Sequence, residues 1–439
     1  MTLELQARSI VMRLREAGHV AYYAGGSVRD MLLGKIPHDI DIATDARPER
    51  VQELFSRTIP VGAHFGVVIV LVEGQAFEVA TFRADGAYID GRRPEGVVFT
   101  TAEEDARRRD FTVNGLFYDP IGERVIDCVG GRADLDTRLL RAIGEASERF
   151  REDRLRVLRG VRLAASLDFQ IEPVTWQALR AAVPSIHAVS AERIREELVK
   201  VFLSPHRVRG FDLLAESGLM HEVLPEVARL EGCEQPPEFH PEGDVFVHTR
   251  KMLGLLEPTV SVPLVFSVLL HDIGKPPCMT RDDTGRIRFN GHESVGARMA
   301  EQLMRRLKFS NHDIAATVEM VKNHMAFKDA PNMRTSKLRR FMARETFPEE
   351  LELHRVDCLG SHGGLDIYAF LKVRREEFAN EPLIPPRLVT GSDLIARGWK
   401  PGPSFRRALD SIQNKQLEGT LRTREEALAW LDKEISETR

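Results

Sequence analysis

Ala24-Gly25-Gly26-Ser27-Val28-Arg29-Asp30, running through Leu33-Gly34 to His38-Asp39-Ile40-Asp41-Ile42-Ala43, decides the reading of this 439-residue chain. An apolar, strand-like run from Val20 to Tyr23 leads into it. Two glycines allow a backbone turn and the close approach of a ligand. The pattern then predicts a helix, whose free N–H groups and positive end suit a phosphate. Arg29, in its first turns, adds a side-chain clamp. Asp39 and Asp41 are two apart, so on a strand they share one face while Ile40 and Ile42 face the core. Adjacent like charges are costly without a cation between them. Oxygen ligands of this kind suit magnesium. A turn or a solvated strand end alone is commonplace; joined on strand, turn, helix and strand, the two point to nucleotide chemistry.

The totals set the frame. The length predicts two to four domains. Hydrophobic content of 43% and charged content of 29% describe a soluble globular protein. The net charge of −4 means that any nucleic-acid surface has to come from local basic patches. Cys128, Cys233, Cys278 and Cys358 are scattered, which excludes a disulfide framework or a Cys-type zinc site and fits a reducing cytoplasm. The N-terminus reads as an amphipathic helix rather than a signal peptide, and no apolar run approaches the ~20 residues of a membrane span.

Downstream, a helix runs from about Asp45-Ala46-Arg47-Pro48 to Phe55, and Val67–Val72 with Ala76–Phe82 form a hairpin around Glu73-Gly74-Gln75. A strand paired beside Asp39 and Asp41 delivers Glu78 as a third carboxylate; an exposed strand glutamate is the equal alternative. Arg83 to Glu95 is a glycine- and charge-rich loop without periodicity. Glu103-Glu104-Asp105 opens a helical stretch reaching Arg107-Arg108-Arg109-Asp110-Phe111-Thr112-Val113-Asn114-Gly115, suited to a triphosphate or RNA backbone. Asp127–Leu135 closes the first domain.

From Phe150 the run Arg151-Glu152-Asp153-Arg154-Leu155-Arg156-Val157-Leu158-Arg159-Gly160-Val161-Arg162 has helical spacing. Asp153 and Arg156, three apart, are read as neighbours on one helix, although a salt-bridged solvated face is the commoner meaning of such a run. Helices continue to Leu224-Pro225, and Pro236-Pro237 to Gly243 reads as a linker. His248 is placed before a helix (Arg250 to Leu256), and His271-Asp272 at the end of an apolar helix (Val262 to Leu270). With Asp357 these form a ligand set of the right hardness for a divalent cation. His292 and His324 complete a second metal position, giving a hydrolytic two-metal site.

Taken together, the motifs resemble the class II CCA-adding enzymes (tRNA nucleotidyltransferases) and the bacterial poly(A) polymerases that share them. The residues that carry the likeness are Gly25-Gly26-x-Val28-Arg29-Asp30 with Asp39-x-Asp41, Arg108-Arg109-Asp110-Phe111-Thr112-Val113-Asn114, and Glu152-Asp153-x-x-Arg156. The middle resembles an HD phosphohydrolase domain, and Gly398–Pro403 resembles the C-terminal part of HD-containing bacterial members. One departure is Asn114-Gly115, where the family has Asn-Ala.

The resemblance implies an α+β fold: a polymerase-beta-like nucleotidyltransferase head with a mixed sheet (residues 1–148), then an all-α neck (149–230), an HD body (231–375) and an RNA-binding helical tail (376–439). It implies magnesium on Asp39 and Asp41 with Glu78 nearby, one metal for the RNA 3′-hydroxyl and one for the triphosphate. Gly25, Gly26 and Arg29 would cradle phosphates, while Arg109, Asp110 and Asn114 would lie at the sugar. Asp153 and Arg156 would read the base edge, steadied by Glu152, with Arg159 and Arg162 on the same helix at the nucleotide. His248, His271, Asp272 and Asp357, with His292 and His324, would hold a divalent transition metal or Mg2+ for hydrolysis of a phosphate monoester or 2′,3′-cyclic phosphate. The implied partners are tRNA, CTP and ATP, in the cytoplasm and away from membranes. The implied reaction is addition of C, C and A to tRNA without a template. Poly(A) synthesis or addition of the terminal A alone is the alternative. The full-length Arg83–Glu95 loop and the absence of a basic extension at Asp432–Arg439 favour CCA addition.

Overall fold

The computed structural model describes residues 2–60, 66–85, 97–236, 238, 240–379 and 381–438. The chain divides into two compact units, Met1–Ala228 with Arg306–Lys308, and Arg229–Arg305 with Phe309–Arg439.

The first unit opens with helix α1 (Leu3–Glu16), which Thr2 caps through its side chain and which buries Ile10, Val11 and Leu14. Strand β1 (Ala21–Ala24) enters the glycine turn, and Gly26 starts α2 (Gly26–Leu32). Strand β2 (Asp41–Thr44), α3 (Pro48–Leu54), β3 (Thr58–Ile59), β4 (Val67–Val72) and β5 (Gln75–Thr81) follow. Next come β6 (Arg83–Asp85), β7 (Val97–Phe99), α4 (Ala102–Arg107), β8 (Leu116–Asp119), β9 (Arg124–Asp127) and α5 (Gly131–Asp136). Seven strands form one sheet in the order β3-β4-β5-β2-β1-β8-β9. The pairing of β2 with β5 is parallel and the rest is antiparallel, so the expected mixed sheet is present. The register sets Ala24 opposite Asp41 on one side of β2, and Ile42 beside Val79 on the other. Residues directly opposite share a face, so buried Ile42 and Val79 point to the core and Asp41 and Glu78 to the opposite side. That pairing, not local sequence, brings Glu78 to Asp41.

Several expectations are corrected. The helical stretch from Glu103 stops at Arg107, and Thr112–Asn114 is a separate 3-10 turn. Its backbone is tied elsewhere, with Thr112 N–H donating to the Arg141 carbonyl. The arginine-rich run is not one helix either: α6 (Ala146–Glu152) ends at Asp153, which is extended (φ −131°, ψ 105°), and α7 (Leu155–Leu167) begins after it. Asp153 and Arg156 therefore flank a helix start instead of sharing a helix face. The neck is also not wholly helical, because Leu139–Leu140 (β10) pairs in parallel with Gln170–Ile171 (β11). The loop after Arg83 has a base that the sequence did not announce, β6 paired with β7; residues 86–96 of it lie outside the described residues. Helices α8 (Pro173–Ala182) and α9 (Ala191–Leu203) complete the elements that hold the first site.

The second unit is built mainly of helices, with a short antiparallel hairpin, Thr280–Arg281 and Ile287–Arg288. His248 lies inside the helix Val245–Leu255, because Asp244 caps Val247 N–H and starts the helix earlier than the expected Arg250. The apolar helix Val262–Leu270 and its C-terminal His271 stand as read. Phe327 and Phe347 stack at the centre of one core with Phe341 edge-on to both, and Leu394, Ile412 and Leu431 anchor another further along the chain.

Among the described glycines of the first unit the closest approach is at Gly131, where a Cβ would lie 2.1 Å from the Thr112 carbonyl oxygen. Gly131→Ala should therefore force the 3-10 turn and α5 apart, costing about 1–3 kcal/mol, read as a lower urea midpoint of the whole chain.

Candidate active sites

Strands β1, β2, β5 and β6, the turns at residues 108–110 and 153 and helix α7 converge on a cavity of about 300 Å³ in the first unit. Its acidic residues include Asp41 and Glu78; its basic ones are Arg83, Arg108, Arg109, Arg156 and Arg159; Asp110 and Asp153 complete the charged lining. Burial, reinforced by Glu78 and Asp39, pushes the Asp41 carboxyl up to about 6. That is charge frustration, and a divalent cation among hard oxygen donors relieves it, so the residues present fit magnesium. Asp39 itself is exposed and sits just ahead of β2.

The glycine turn has a geometric reason. Gly25 has φ +71°, and a Cβ there would come within 2.9 Å of Arg109 Nη1. Arg109 is held by Asp105 Oδ2 (3.0 Å), by the Asn114 carbonyl (3.2 Å) and over the Phe117 ring. Burial alone would raise Asp105, but Arg109 and Arg108 together hold it below the usual carboxylate range. Arg29 donates to Asn114 Oδ1 (2.6 Å), and Asn114 Nδ2 donates to Asp110 Oδ1 (3.0 Å). Asp110 Oδ2 takes two bonds from Arg159, at 2.8 and 2.6 Å, and Oδ1 also accepts Phe111 N–H. With four donors the Asp110 carboxylate is saturated. It lines the cavity yet has no lone pair to spare, so its place is structural, joining the 3-10 turn to α7.

The two expected base readers are both on the cavity, but they do not pair. Arg156 is buried; its Nη1 reaches Glu152 (2.6 Å) and the Arg149 carbonyl (3.0 Å), and its Nη2 the Arg108 carbonyl (3.1 Å). Asp153 Oδ1 accepts Leu155 N–H, and Oδ2 accepts Arg193 from α9 (2.8 Å). Arg162 does not reach the cavity: it pairs with Glu197 of α9. Gly25, Gly26, Arg29, Asn114, Glu152 and Asp39 are likewise absent from the lining; Arg29 and Asn114 act on it through Asp110, and Glu152 through Arg156. The sequence reading missed Asp105 and Arg193. Asp105 had a readable signal, lying three and four residues before Arg108 and Arg109. Arg193 had none, because its partner is on another helix. Gly115, where the family pattern has Ala, packs so that a Cβ would lie 2.7 Å from Val129 Cγ2.

The second unit assembles the histidines. His271, His292 and His324 each set Nδ1 against a backbone carbonyl, of Val268, Phe289 and Val321, at 2.9, 2.8 and 2.6 Å. A carbonyl only accepts, so each Nδ1 carries a proton, and the neutral imidazole then presents its lone pair at Nε2. His292 Nε2 and His324 Nε2 then face one another at 3.1 Å, beside Asp272 Oδ1 at 3.4 and 3.9 Å. Two lone pairs at that distance repel unless a cation lies between them. His248 sits between Glu242 (Nδ1, 2.7 Å) and Asp357 (Nε2, 3.1 Å). Burial disfavours its charged form, but the bonds to Asp357 and Glu242 outweigh this and lift it to about 9. Burial drives His324 the other way, to about 3. Two ligand groups follow, His248–His271–Asp357 and Asp272–His292–His324, each with donor atoms within 4.8 Å. These residues fit a pair of divalent ions. Glu242 and His240, from the stretch read as a linker, form a third group with His248 that the sequence reading did not include.

Comparisons with known proteins cover most of both units. Residues 21–141 match the family described as poly A polymerase head domain, 168–230 the probable RNA and SrmB-binding site of polymerase A, and 245–359 the HD domain. A CCA-adding enzyme of Streptococcus pyogenes serotype M2 (strain MGAS10270) is 47% identical over 210 residues, 48% of this chain and 52% of the relative. The chain thus spans about half the length of the curated relatives it matches. The crystal structure of the Bacillus stearothermophilus CCA-adding enzyme with CTP aligns with a TM-score of 0.75 and 27% identity, over 100% of this chain and 99% of that one. The Thermotoga maritima CCA-adding enzyme complexed with tRNA shares the fold at a TM-score of 0.60 and 19% identity, over 98% and 94% of the two chains. Among the described residues no helix is long and apolar enough to cross a membrane.

The raised Asp41 carboxyl carries a sign that can be measured. The metal-free fold binds the Asp41 proton more tightly than the unfolded chain does. This contribution is complete below the free value of about 4 and is lost as pH rises through about 6. Asp41→Asn should therefore make the metal-free protein more stable at pH 8, by about 1–3 kcal/mol. Magnesium should raise the thermal midpoint of the wild type by more than that of Asp41→Asn.

Proposed function

We propose that the chain belongs to the family of the CCA-adding enzymes and poly(A) polymerases and adds C, C and A to the 3′ end of tRNA from CTP and ATP. The observation that carries this reading is one cavity lined by a cation-seeking carboxylate pair, Asp41 and Glu78, together with Asp153 and Arg156. Magnesium on Asp39, Asp41 and Glu78 would supply the Lewis acidity for attack of the 3′-hydroxyl and for departure of pyrophosphate.

The remaining work falls to the chain's own side chains. Asp153 accepts from the exocyclic amino group that cytosine and adenine both carry, and Arg156 donates to the ring acceptors on the same edge. Uracil and guanine present the opposite pattern and are refused. Glu152 and two backbone carbonyls aim Arg156, while Arg193 aims Asp153. Arg108, Arg109 and Arg159 provide positive charge for the triphosphate. Asn114 and Arg109 lie toward the sugar, with Asp110 as their support. Poly(A) synthesis and addition of A alone use the same carboxylates, and the Arg83–Glu95 loop expected to separate them lies, from residue 86 on, outside the described residues.

A second activity is favoured by the inward-facing imidazoles of the other unit: hydrolysis of a phosphate monoester or a 2′,3′-cyclic phosphate. The residues in question are His248, His271, Asp272, His292, His324 and Asp357, holding a transition metal or Mg2+.

The deciding experiment supplies tRNA lacking its 3′ end with CTP and ATP, separately and together, and sequences the product. CCA supports the proposal; a single A or a long A tail selects the alternative. Arg156→Ala should admit UTP or GTP, lowering the preference for C and A by about tenfold or more; unchanged selectivity removes it as base reader. Asp272→Ala should lose hydrolysis of bis(p-nitrophenyl) phosphate, and a wild type inactive with nickel, manganese and magnesium would make the second centre structural.

A further inference from the structure

Arg156 has to be held in place and still keep donors for a base, and its five N–H groups are divided between the two tasks. Among the described residues three are engaged. Nη1 donates to Glu152 Oε2 (2.6 Å) and to the Arg149 carbonyl (3.0 Å), and Nη2 donates to the Arg108 carbonyl (3.1 Å). Nε–H and the second N–H of Nη2 remain. These two nitrogens form one edge of the guanidinium, and Arg156 lines the cavity. The division holds only while Glu152 offers Arg156 a single oxygen. A carboxylate and a guanidinium pair most strongly through two parallel bonds. A Glu152 free to turn would take that form and draw on the N–H groups left for the base.

The side chain that holds Glu152 to one oxygen is Arg149. Its Nη2 donates to Glu152 Oε1 at 2.5 Å, in a part-buried contact. The two residues lie three apart on α6 and so share a face. An ion pair of that spacing on an open surface contributes little. Here the guanidinium is itself anchored, because Nη1 donates to the Arg107 carbonyl (3.2 Å) at the last residue of α4. Carbonyls at a helix end lack a partner within the helix and carry the negative end of its dipole, which suits a guanidinium. The next carbonyl along, that of Arg108, takes Arg156. The two arginines are thus docked side by side on the end of α4. They share the Glu152 carboxylate, with Oε1 to Arg149 and Oε2 to Arg156.

We propose that Arg149 is a positioning residue for base selection. It withholds Glu152 Oε1 from Arg156 and so keeps the Nε–Nη2 edge of Arg156 available to the ring acceptors of cytosine or adenine. The proposal rests on the base-reading role given to Arg156 above.

The test measures binding of CTP, UTP and inorganic triphosphate to the full chain with magnesium, by calorimetry and without RNA. Arg149→Ala should lower the ratio of CTP to UTP affinity by about fivefold or more, through weaker CTP, while triphosphate, which has no base, binds within about twofold of wild type. Arg149→Lys keeps a cation for Glu152 Oε1 and should bring the ratio back to within about twofold of wild type. An unchanged ratio in Arg149→Ala, a loss shared by triphosphate, or a loss as large in Arg149→Lys makes Arg149 a structural pair only and overturns the proposal. Should Arg149→Ala not fold, Arg149→Met, which keeps the apolar stem and lacks the donors, is read in its place. The underlying readings fail separately. Wild type that binds CTP and UTP alike, or Arg156→Ala that keeps the wild-type ratio, removes the base reader and the proposal with it. If Arg156→Ala abolishes the ratio and Arg149→Ala does not, the reader stands and Arg149 falls. If the ratios move as expected and no nucleotide is joined to tRNA, the positioning role stands without the transfer reaction.

Discussion

The Asp110 carboxylate is the joint on which the first unit depends. Burial alone would raise it, yet Arg159, with the bonds from Asn114 and Phe111, holds it far below the usual carboxylate range. Through Asn114 it fixes Arg29 on the helix after the glycine turn; through Arg159 it fixes α7. The turn that carries Gly25 and the helix that carries Arg156 are thus set relative to each other by one buried ion. Removing a single partner of such a pair strands a charge, which typically costs more than the pair contributes. A residue in this position is demanding to replace even without touching a ligand, and its saturated oxygens explain why it can border the cavity and remain a strut.

A second constraint runs against stability. Asp41 and Glu78 are brought together by the β2–β5 pairing, with Asp39 just ahead of β2, and together with burial this pushes the Asp41 carboxyl up to about 6. A fold selected for stability alone would not place three carboxylates so. The same arrangement preorganises oxygen donors for a hard cation, so the strain is the condition for binding. The second unit repeats the logic with a different atom. Carbonyls at Val268, Phe289 and Val321 fix three imidazole tautomers, and the resulting lone pairs crowd one another until something cationic is shared.

Local patterns revealed much of this, and their failures share one cause. Asp39–Asp41, the β4–β5 hairpin, the apolar helix ending in His271 and the run of histidines were all legible, because each is written within a few residues. Side-chain periodicity also made Ile40 and Ile42 core residues in advance. What was not legible is what depends on distant partners. Asp153 breaks the arginine-rich helix in a stretch whose spacing favours continuing it; its carboxylate is held by Arg193 from α9 and by Leu155 N–H. Arg162 carries the same helical spacing as Arg159 but meets Glu197, so the resemblance assigned it to the nucleotide and the fold turns it to α9. The stretch from Pro236 to Gly243 reads as a linker because its prolines and glycine lack periodicity, yet it supplies Glu242 and His240 to His248.

That last case sharpens how the histidine centre is organised. A metal-ligating histidine needs its second nitrogen fixed, and three of the four rings use a backbone carbonyl from their own turn, three residues away. His271 and His324 find that partner at a helix end and His292 in the turn ahead of its helix, so none needs a special residue. His248 cannot use this device: it sits inside Val245–Leu255, where the carbonyls are engaged in the helix ladder. It takes a carboxylate instead, and Glu242, six residues earlier and just ahead of the Asp244 cap, is placed to provide one. A carboxylate raises the basicity of the imidazole more than a carbonyl does, so the two ligand groups are electronically unequal. The group containing His248 and Asp357 is the more electron-rich, and the group of Asp272, His292 and His324 the poorer. A pair of ions bound there would differ in acidity by construction, the asymmetry that a hydrolytic site needs if one position is to generate a nucleophile and the other to hold the phosphoryl oxygens.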